Sequence, residues 1–254
     1  MKEGAWMLVE GKVGIVSGAS RGIGKSIALT LAKNGASLVI IGTNTKLLTE
    51  VADEVRSMGR QCVVHIGDVT NPETATEAAK KTMSLFGKID ILVNNAGINM
   101  HSSTLDMNLD DWQKVLDVNL NGNLYLSKAV LPYMIEQNYG KVVNVSSSTA
   151  KSGHKNAAPS YGASKAGVDY LTKHLALEMS KHNIYVNGVS PGPIETDMIT
   201  QWTEEYYQTV ISNVPLKKLG TPQNVADVVL FLASQMSDFI TGETINVNGG
   251  TYMN

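Results

Sequence analysis

One cysteine, Cys62, is the only thiol in the 254-residue chain, so neither an intrachain disulfide nor a thiolate metal cluster is available to it. The five histidines (His65, His101, His154, His174 and His182) form no HExxH or other close ligand spacing, and no dedicated metal site is expected. Charge of one sign is also lacking. Lysine plus arginine number 21 against 23 for aspartate plus glutamate, a net charge of −2. Without a basic field, nucleic acid and anionic membrane are not expected partners. No apolar run approaches the roughly 18 residues of a membrane span, and Val228–Ala233 is typical of the longest. The opening MKEGAWMLVEGK alternates charged and apolar residues without the apolar core of a secretory signal, so a cytoplasmic protein is expected. Linkers rich in proline, glycine or serine, internal repeats and low-complexity tracts are missing too, which points to one domain over residues 1–254. What is present is 43% apolar and 17% charged residues, enough for a sizeable core and unlike a disordered or fibrous chain.

Short β-type runs alternate with longer helical stretches. Val13–Ser17, Ser37–Ile41, Gln61–Ile66, Ile89–Val93, Lys141–Val145 and Ile184–Val189 read as strands. Between and after them, Ile23–Ala32, Leu47–Met58, Thr74–Phe86, a long stretch from about Asp110 to Glu136, Tyr161–Lys181 and Gln223–Ser234 carry helical periodicity. The strands are nearly continuous apolar runs, as a sheet covered by helices on both faces requires. A doubly wound parallel α/β sheet follows. Residues 191–215 break the rhythm with a PGP opening and three aromatics, Trp202, Tyr206 and Tyr207. Beyond a strand's carboxyl end, such an excursion is either a substrate lid or an ordinary surface helix pair.

Gly18-Ala-Ser-Arg-Gly22-Ile-Gly24 follows the first strand and opens the first helix. Its glycines fall where the chain must turn tightly, where a diphosphate must approach the backbone, and where helix packs on strand. The overlapping Ala19 to Ser26 segment misses a P-loop because Ala19 stands at the first glycine position. Tyr161-Gly-Ala-Ser-Lys165 sets a phenol and an ammonium at i and i+4 on one helical face. Bringing a tyrosine from about 10 to near 7 takes about 4 kcal/mol of phenolate stabilisation, within reach of Lys165 together with an oxidised nicotinamide. By itself this pair occurs by chance on many solvated helices. Ser146-Ser147-Ser148 ends one strand, Asn94-Asn95-Ala96-Gly97 ends another, and Asn119 lies in Leu116–Gly122, so the candidates gather on one side of the sheet.

Together with Pro191-Gly192-Pro193, these motifs resemble the short-chain dehydrogenase/reductase superfamily in its single-domain form, over essentially residues 7–254. The resemblance implies a Rossmann fold with a seven-stranded parallel sheet and helices on both faces, and reversible interconversion of a ketone and a secondary alcohol. Tyr161 would be the general acid/base and Ser147 would polarise the substrate oxygen. Lys165 would hold the nicotinamide ribose and lower the Tyr161 pKa, and Asn119 would tie a water to the lysine. Counting back the family's usual spacing from Tyr161 gives Ser148 instead; strand register favours Ser147.

The same resemblance implies that Gly18, Ser20, Arg21, Gly22, Ile23, Gly24, Asp68, Val69, Asn95, Ala96, Gly97, Pro191, Gly192, Ile194 and Thr196 hold the dinucleotide. Asp68 reads equally as a cap for the helix starting near Asn71. At the end of the second strand, Thr43 and Asn44 stand where NAD users carry a carboxylate, and with Arg21 they favour NADP(H), leaving NAD(H) possible. The expected substrate is a small free ketone or alcohol (sugar, polyol, steroid or cyclic ketone) lined by His154 and Trp202, although His154 reads equally as a solvent-facing loop residue.

The alternative is a 3-oxoacyl-(acyl-carrier-protein) reductase, suggested by Pro191-Gly-Pro-Ile-Glu-Thr-Asp197. Against it, Pro132–Gly140 lacks the basic residues that such reductases present to their acidic carrier. A remote alternative is a non-catalytic cofactor sensor. Relatives of this form assemble as homotetramers or homodimers, through the helices after strands four and five and through Thr244–Val247.

Overall fold

The computed structural model describes residues 7–153, 157–196 and 202–253. Seven strands, β1 (Val13–Ser17), β2 (Ser37–Gly42), β3 (Cys62–Ile66), β4 (Ile91–Asn94), β5 (Gly140–Val145), β6 (Ile184–Pro191) and β7 (Thr244–Val247), form one parallel sheet in the order β3-β2-β1-β4-β5-β6-β7. The helices are α1 (Gly22–Lys33), α2 (Thr45–Ser57), α3 (Pro72–Phe86), α4 (Leu109–Leu116), α5 (Gly122–Gln137), α6 (Pro159–Met179), α7 (Glu204–Asn213) and α8 (Pro222–Ala233). This is the Rossmann-type arrangement that the alternation of runs predicts.

The period-2 alternation of each strand divides its side chains between two cores. Val16, Leu38, Ile40, Ile91, Val93 and Val143 join Ile27, Val51 and Val229 of α1, α2 and α8 on one face. Ile15, Val39, Ile41, Leu92 and Val142 join Ala78, Leu126, Val130 and Leu175 of α3, α5 and α6 on the other. With both faces covered, polar strand residues such as Lys141, Asn144 and Asn187 are buried as well. Lys141 of β5, fully buried, places its ammonium 2.7 Å from Asp238 and 3.7 Å above the Tyr185 ring. The single thiol lies in β3, where burial pushes Cys62 up to about 12 and removes it from thiolate chemistry.

Beyond shifts of one or two residues at element ends, two differences from the sequence expectation have a side-chain cause. β4 starts at Ile91 rather than Ile89, because Asp90 anchors the strand's approach: its carboxylate accepts from the Val13 amide at 2.9 Å and pairs with Lys12 and Lys88. The expected long helix from Asp110 to Glu136 is two helices, α4 and α5, joined by a π-helical turn at Asp117–Asn121. Within that turn the Asp117 carboxylate accepts from both Gln113 and Asn121, at 2.9 and 2.7 Å, while Asn119 reaches out of the helix to another segment. Such single π turns commonly place a functional side chain.

Because β1 connects outward to β2 and β3 while β4 begins the other half, the strand order reverses between β1 and β4. Open α/β sheets bind ligands beyond the carboxyl ends of their strands at such a point.

Candidate active site

At the carboxyl end of β1, Gly18 takes φ +64° and approaches Ala96 so closely that an added Cβ would sit 2.8 Å from the Ala96 Cα. Gly24 packs tighter still, with an added Cβ only 2.1 Å from the Gly18 carbonyl oxygen. These glycines hold the start of α1 against β1 and the turn after β4. Ser17 completes the weld, its hydroxyl accepting from the Asn95 and Ala96 amides at 3.0 and 3.1 Å. The Asn95 side chain donates back to the Ser17 and Gly18 carbonyls, both at 3.1 Å.

The first turn of α1 carries no acidic residue, and its N-cap, Arg21, makes no side-chain cap bond. Its leading N–H groups therefore suit an anion such as a diphosphate. That open helix start, beside glycines with no room for a Cβ, is the feature of this structure that fits a dinucleotide.

Around it lie the other expected contacts. Thr43 is exposed just past β2. Asn44 caps α2, its Oδ1 accepting from Leu47 at 3.0 Å, which leaves its amide nitrogen for a ligand. Asp68 does not cap α3; it turns back on Thr70, and Asn71 is the cap. Val69 is buried in the α3/α5 core. Ile194 sends its side chain into the opposite core, so whatever it offers a cofactor comes from its backbone. Gly192, past β6, has Asn248 where a Cβ would go. An added Cβ at Gly22 would meet Thr196, 3.6 Å away, which brings the glycine turn and the segment after β6 together. His154 lies outside the described residues.

Tyr161 and Lys165 follow on α6, one turn apart. Ser147, just past β5, lies close enough to the Tyr161 phenol to favour its ionised form, while its hydroxyl donates to Thr149 Oγ1 and accepts from the Thr149 amide, both at 3.2 Å. Ser148 instead opens the 3-10 turn Ser148–Ala150. Strand register thus places Ser147, not Ser148, on the phenol. Burial pushes the Tyr161 phenol up, and the Ser147 hydroxyl opposes it. Lys165 is 4% exposed; its ammonium donates to the Val145 carbonyl at 2.7 Å and lies 5.9 Å from the Tyr161 ring centroid. Burial pulls it down to about 8, against the opposing charge of Asp169.

Asn119 fixes the floor. Its Oδ1 accepts from the Ile98 amide at 2.8 Å, and its Nδ2 donates to the Ile98 carbonyl and the Ser164 hydroxyl, both at 3.0 Å. A Cβ on Gly97 would lie 3.4 Å from both Asn119 Oδ1 and Lys165 Nζ, so three segments remote in sequence meet there. Beneath them, Asn94 donates to Asn144 at 2.9 Å, and Asn144 donates to Thr172 of α6. Ser17, Ser164 and Asn144 escaped the sequence reading. Only Ser164 carried a usable signal, its place inside Tyr-x-x-Ser-Lys.

Trp202 and Tyr206 pack edge to face, with centroids 5.0 Å apart, at the start of α7, which buries none of its residues completely.

The assembled site is a half-buried phenol flanked by a hydroxyl and a buried ammonium, beside an anion-ready helix start. A family model described as enoyl-(acyl carrier protein) reductase matches residues 18–252. The chain is 39% identical to the 3-oxoacyl-(acyl-carrier-protein) reductase of Thermotoga maritima over 244 residues, 96% of this chain and 99% of that one. It is 38% identical to the enzyme of the same description from Escherichia coli K12, over 97% and 100% of the two chains. Among solved structures, a 3-oxoacyl-(acyl-carrier protein) reductase from Brucella melitensis superposes with a TM-score of 0.92 at 33% identity, covering 98% of this chain and 94% of that one. A short-chain type dehydrogenase/reductase from Mycobacterium marinum gives 0.92 at 32% identity, over 98% of both chains.

Proposed function

The chain belongs to the short-chain dehydrogenase/reductase superfamily, and we propose that it reduces the ketone of 3-oxoacyl thioesters with NADPH. The observation that carries this reading is the full-length identity of 38 to 39% to reductases so described. It displaces the free sugar, polyol, steroid or cyclic ketone that the sequence alone favoured.

In the proposed mechanism, Ser147 donates to the substrate carbonyl oxygen and Tyr161 delivers a proton to it as charge develops there. Lys165 stands behind the phenol, and Asn119 holds the Ile98 turn and Ser164 in place. The bound nicotinamide supplies the hydride. Arg21, Thr43 and the Asn44 amide would receive the 2′-phosphate, since no carboxylate ends β2 to repel it. Residues 191–215, with Trp202 and α7, would close over the substrate in this single-domain, cytoplasmic enzyme. Exposed Tyr170 and Leu177 of α6 and Phe239 before β7 support a homotetramer or homodimer.

A second reading has its own support. Pro132–Gly140 carries no basic residue, so the 3-oxoacyl group could arrive on a small thiol rather than an acidic carrier. Assays with acetoacetyl groups on carrier protein and on coenzyme A decide between them. A kcat/KM at least tenfold higher for the carrier form supports the carrier reading. Equal values favour the small thioester. No oxidation of NADPH with either sinks the thioester assignment.

For the cofactor, Thr43→Asp is expected to weaken NADPH binding by about tenfold to a hundredfold, roughly 1.4–3 kcal/mol, through repulsion of the 2′-phosphate. NADH binding should hold or improve. Fluorescence titration checks both, and an unchanged NADPH affinity removes Thr43 from the phosphate site.

A further inference from the structure

Tyr161, Lys165 and Asp169 are spaced i, i+4, i+8 along α6. Each four-residue step advances about 40° around a helix, so the row drifts from the substrate side, through the buried ammonium, toward the outer flank of the helix. There Asp169 lines a cavity of about 520 Å³ between α6 and β7, together with Lys151, Tyr170, Lys173, Glu243 and Thr244. This cavity lies behind the site rather than in it. One carboxylate oxygen of Asp169, Oδ1, is buried without a hydrogen-bond partner among the described residues. Helix packing does not explain an orphaned carboxylate oxygen, since an alanine or asparagine would serve the helix as well.

We propose that Asp169 is a positioning residue for proton transfer, its carboxylate acting one turn behind Lys165 as the counter-charge that keeps the buried ammonium protonated. This rests on the reductase reading above for its purpose but not for its physics. Removing a charge from water is costly unless an opposite charge faces it. The other groups near Lys165 do not supply that charge. Val145, Ser164 and Asn119 are neutral, and Tyr161 is a phenol. Asp117, in the π turn packed against α6, is bonded to Gln113 and Asn121. Of the cations facing Asp169 across the cavity, Lys151 is held by Asn246 at 2.9 Å and by the Thr244 carbonyl. Lys173 sits one further turn along α6, and Glu243 adds a second negative charge on the β7 side. Consistent with this, Asp169 is the charged group that raises the Lys165 pKa against the effect of burial.

The test reads Lys165 directly. In full-length protein labelled with 13Cε-lysine, the Lys165 resonance is assigned by its loss in Lys165→Arg and titrated in the unmodified chain, in Asp169→Asn and in Asp169→Glu. The expected result is a midpoint lower by about half a pH unit or more in Asp169→Asn, largely restored in Asp169→Glu. The alkaline limb of the NADPH-oxidation profile should move to lower pH in the same variant, because losing a negative charge eases deprotonation of both Lys165 and Tyr161. An unchanged Lys165 midpoint in folded Asp169→Asn overturns the proposal, as does an equal displacement in Asp169→Glu. If the midpoint moves but no 3-oxoacyl thioester is reduced by the unmodified protein, the counter-charge stands and the substrate assignment fails.

Discussion

Tyr161→Phe is expected to lower kcat for ketone reduction by about 10³- to 10⁴-fold, the scale of a lost general acid, while the Kd for NADPH stays within about a factor of two. The ring remains, so α6 keeps its packing against β5 and the 3-10 turn. Only the hydroxyl beside Ser147 is removed. Without it, the carbonyl oxygen gains negative charge with no proton donor in reach, and the Ser147 hydroxyl can polarise that oxygen but not neutralise it. Single-turnover NADPH oxidation and a fluorescence titration on the same preparation separate chemistry from binding. Retention of more than a tenth of the rate would take Tyr161 out of the proton step, and a protein whose role is to sense cofactor would lose nothing.

Lys165→Met should abolish reduction and yet, in protein free of nucleotide, raise the melting temperature at pH 7. Burial holds the Lys165 ammonium at about 8 against an ordinary 10.5. At about 1.4 kcal/mol per pH unit, that displacement is on the order of 3 kcal/mol of destabilisation. The lost bond to the Val145 carbonyl gives back about 1 kcal/mol, leaving a net gain near 2 kcal/mol, or roughly 4–8 °C in a chain of this size. The sign follows from proton counting. Between about pH 8 and 10.5 the unfolded chain binds more protons at this lysine than the folded one, so the unmodified protein gains stability as pH rises. Its deficit against Lys165→Met is full below pH 8 and closes above about 10.5. Calorimetry at pH 7 and pH 11 measures both ends. A variant less stable at pH 7, by a margin that does not change with pH, would mean that the ammonium is not held at a cost in the fold.

Much of this site could be read from the chain because its chemistry is written in short, local spacings. Tyr161 and Lys165 share a helix, and Gly18, Gly22 and Gly24 share a turn. The strand ends at Asn94 and Ser147 fall where nearly continuous apolar runs stop. The elements themselves followed from hydrophobic period, which decides what can be buried on one face or on two. The boundaries that were misread lie where a side chain overrides period: Asp90 tying β1 to β4, and Asn119 drawn out of a helix to hold Ile98.

Between Ser147 and Ser148 the sequence left two answers, strand register favouring the first and the count back from Tyr161 the second, because adjacent residues past a strand end point in different directions and the phenol they meet lies on another element. Asn44's work as a helix cap, the meeting of Gly97, Asn119 and Lys165, and the orphaned Asp169 oxygen were invisible in the chain. Fold, dinucleotide turn and the tyrosine–lysine pair were set by local propensity and burial pattern, interactions between residues a few positions apart. Which groups touch, which are cut off from water, and hence how their proton affinities move, depend on segments 20 to 80 residues apart being brought within hydrogen-bond reach, and only packing of the whole sheet and its helices decides that.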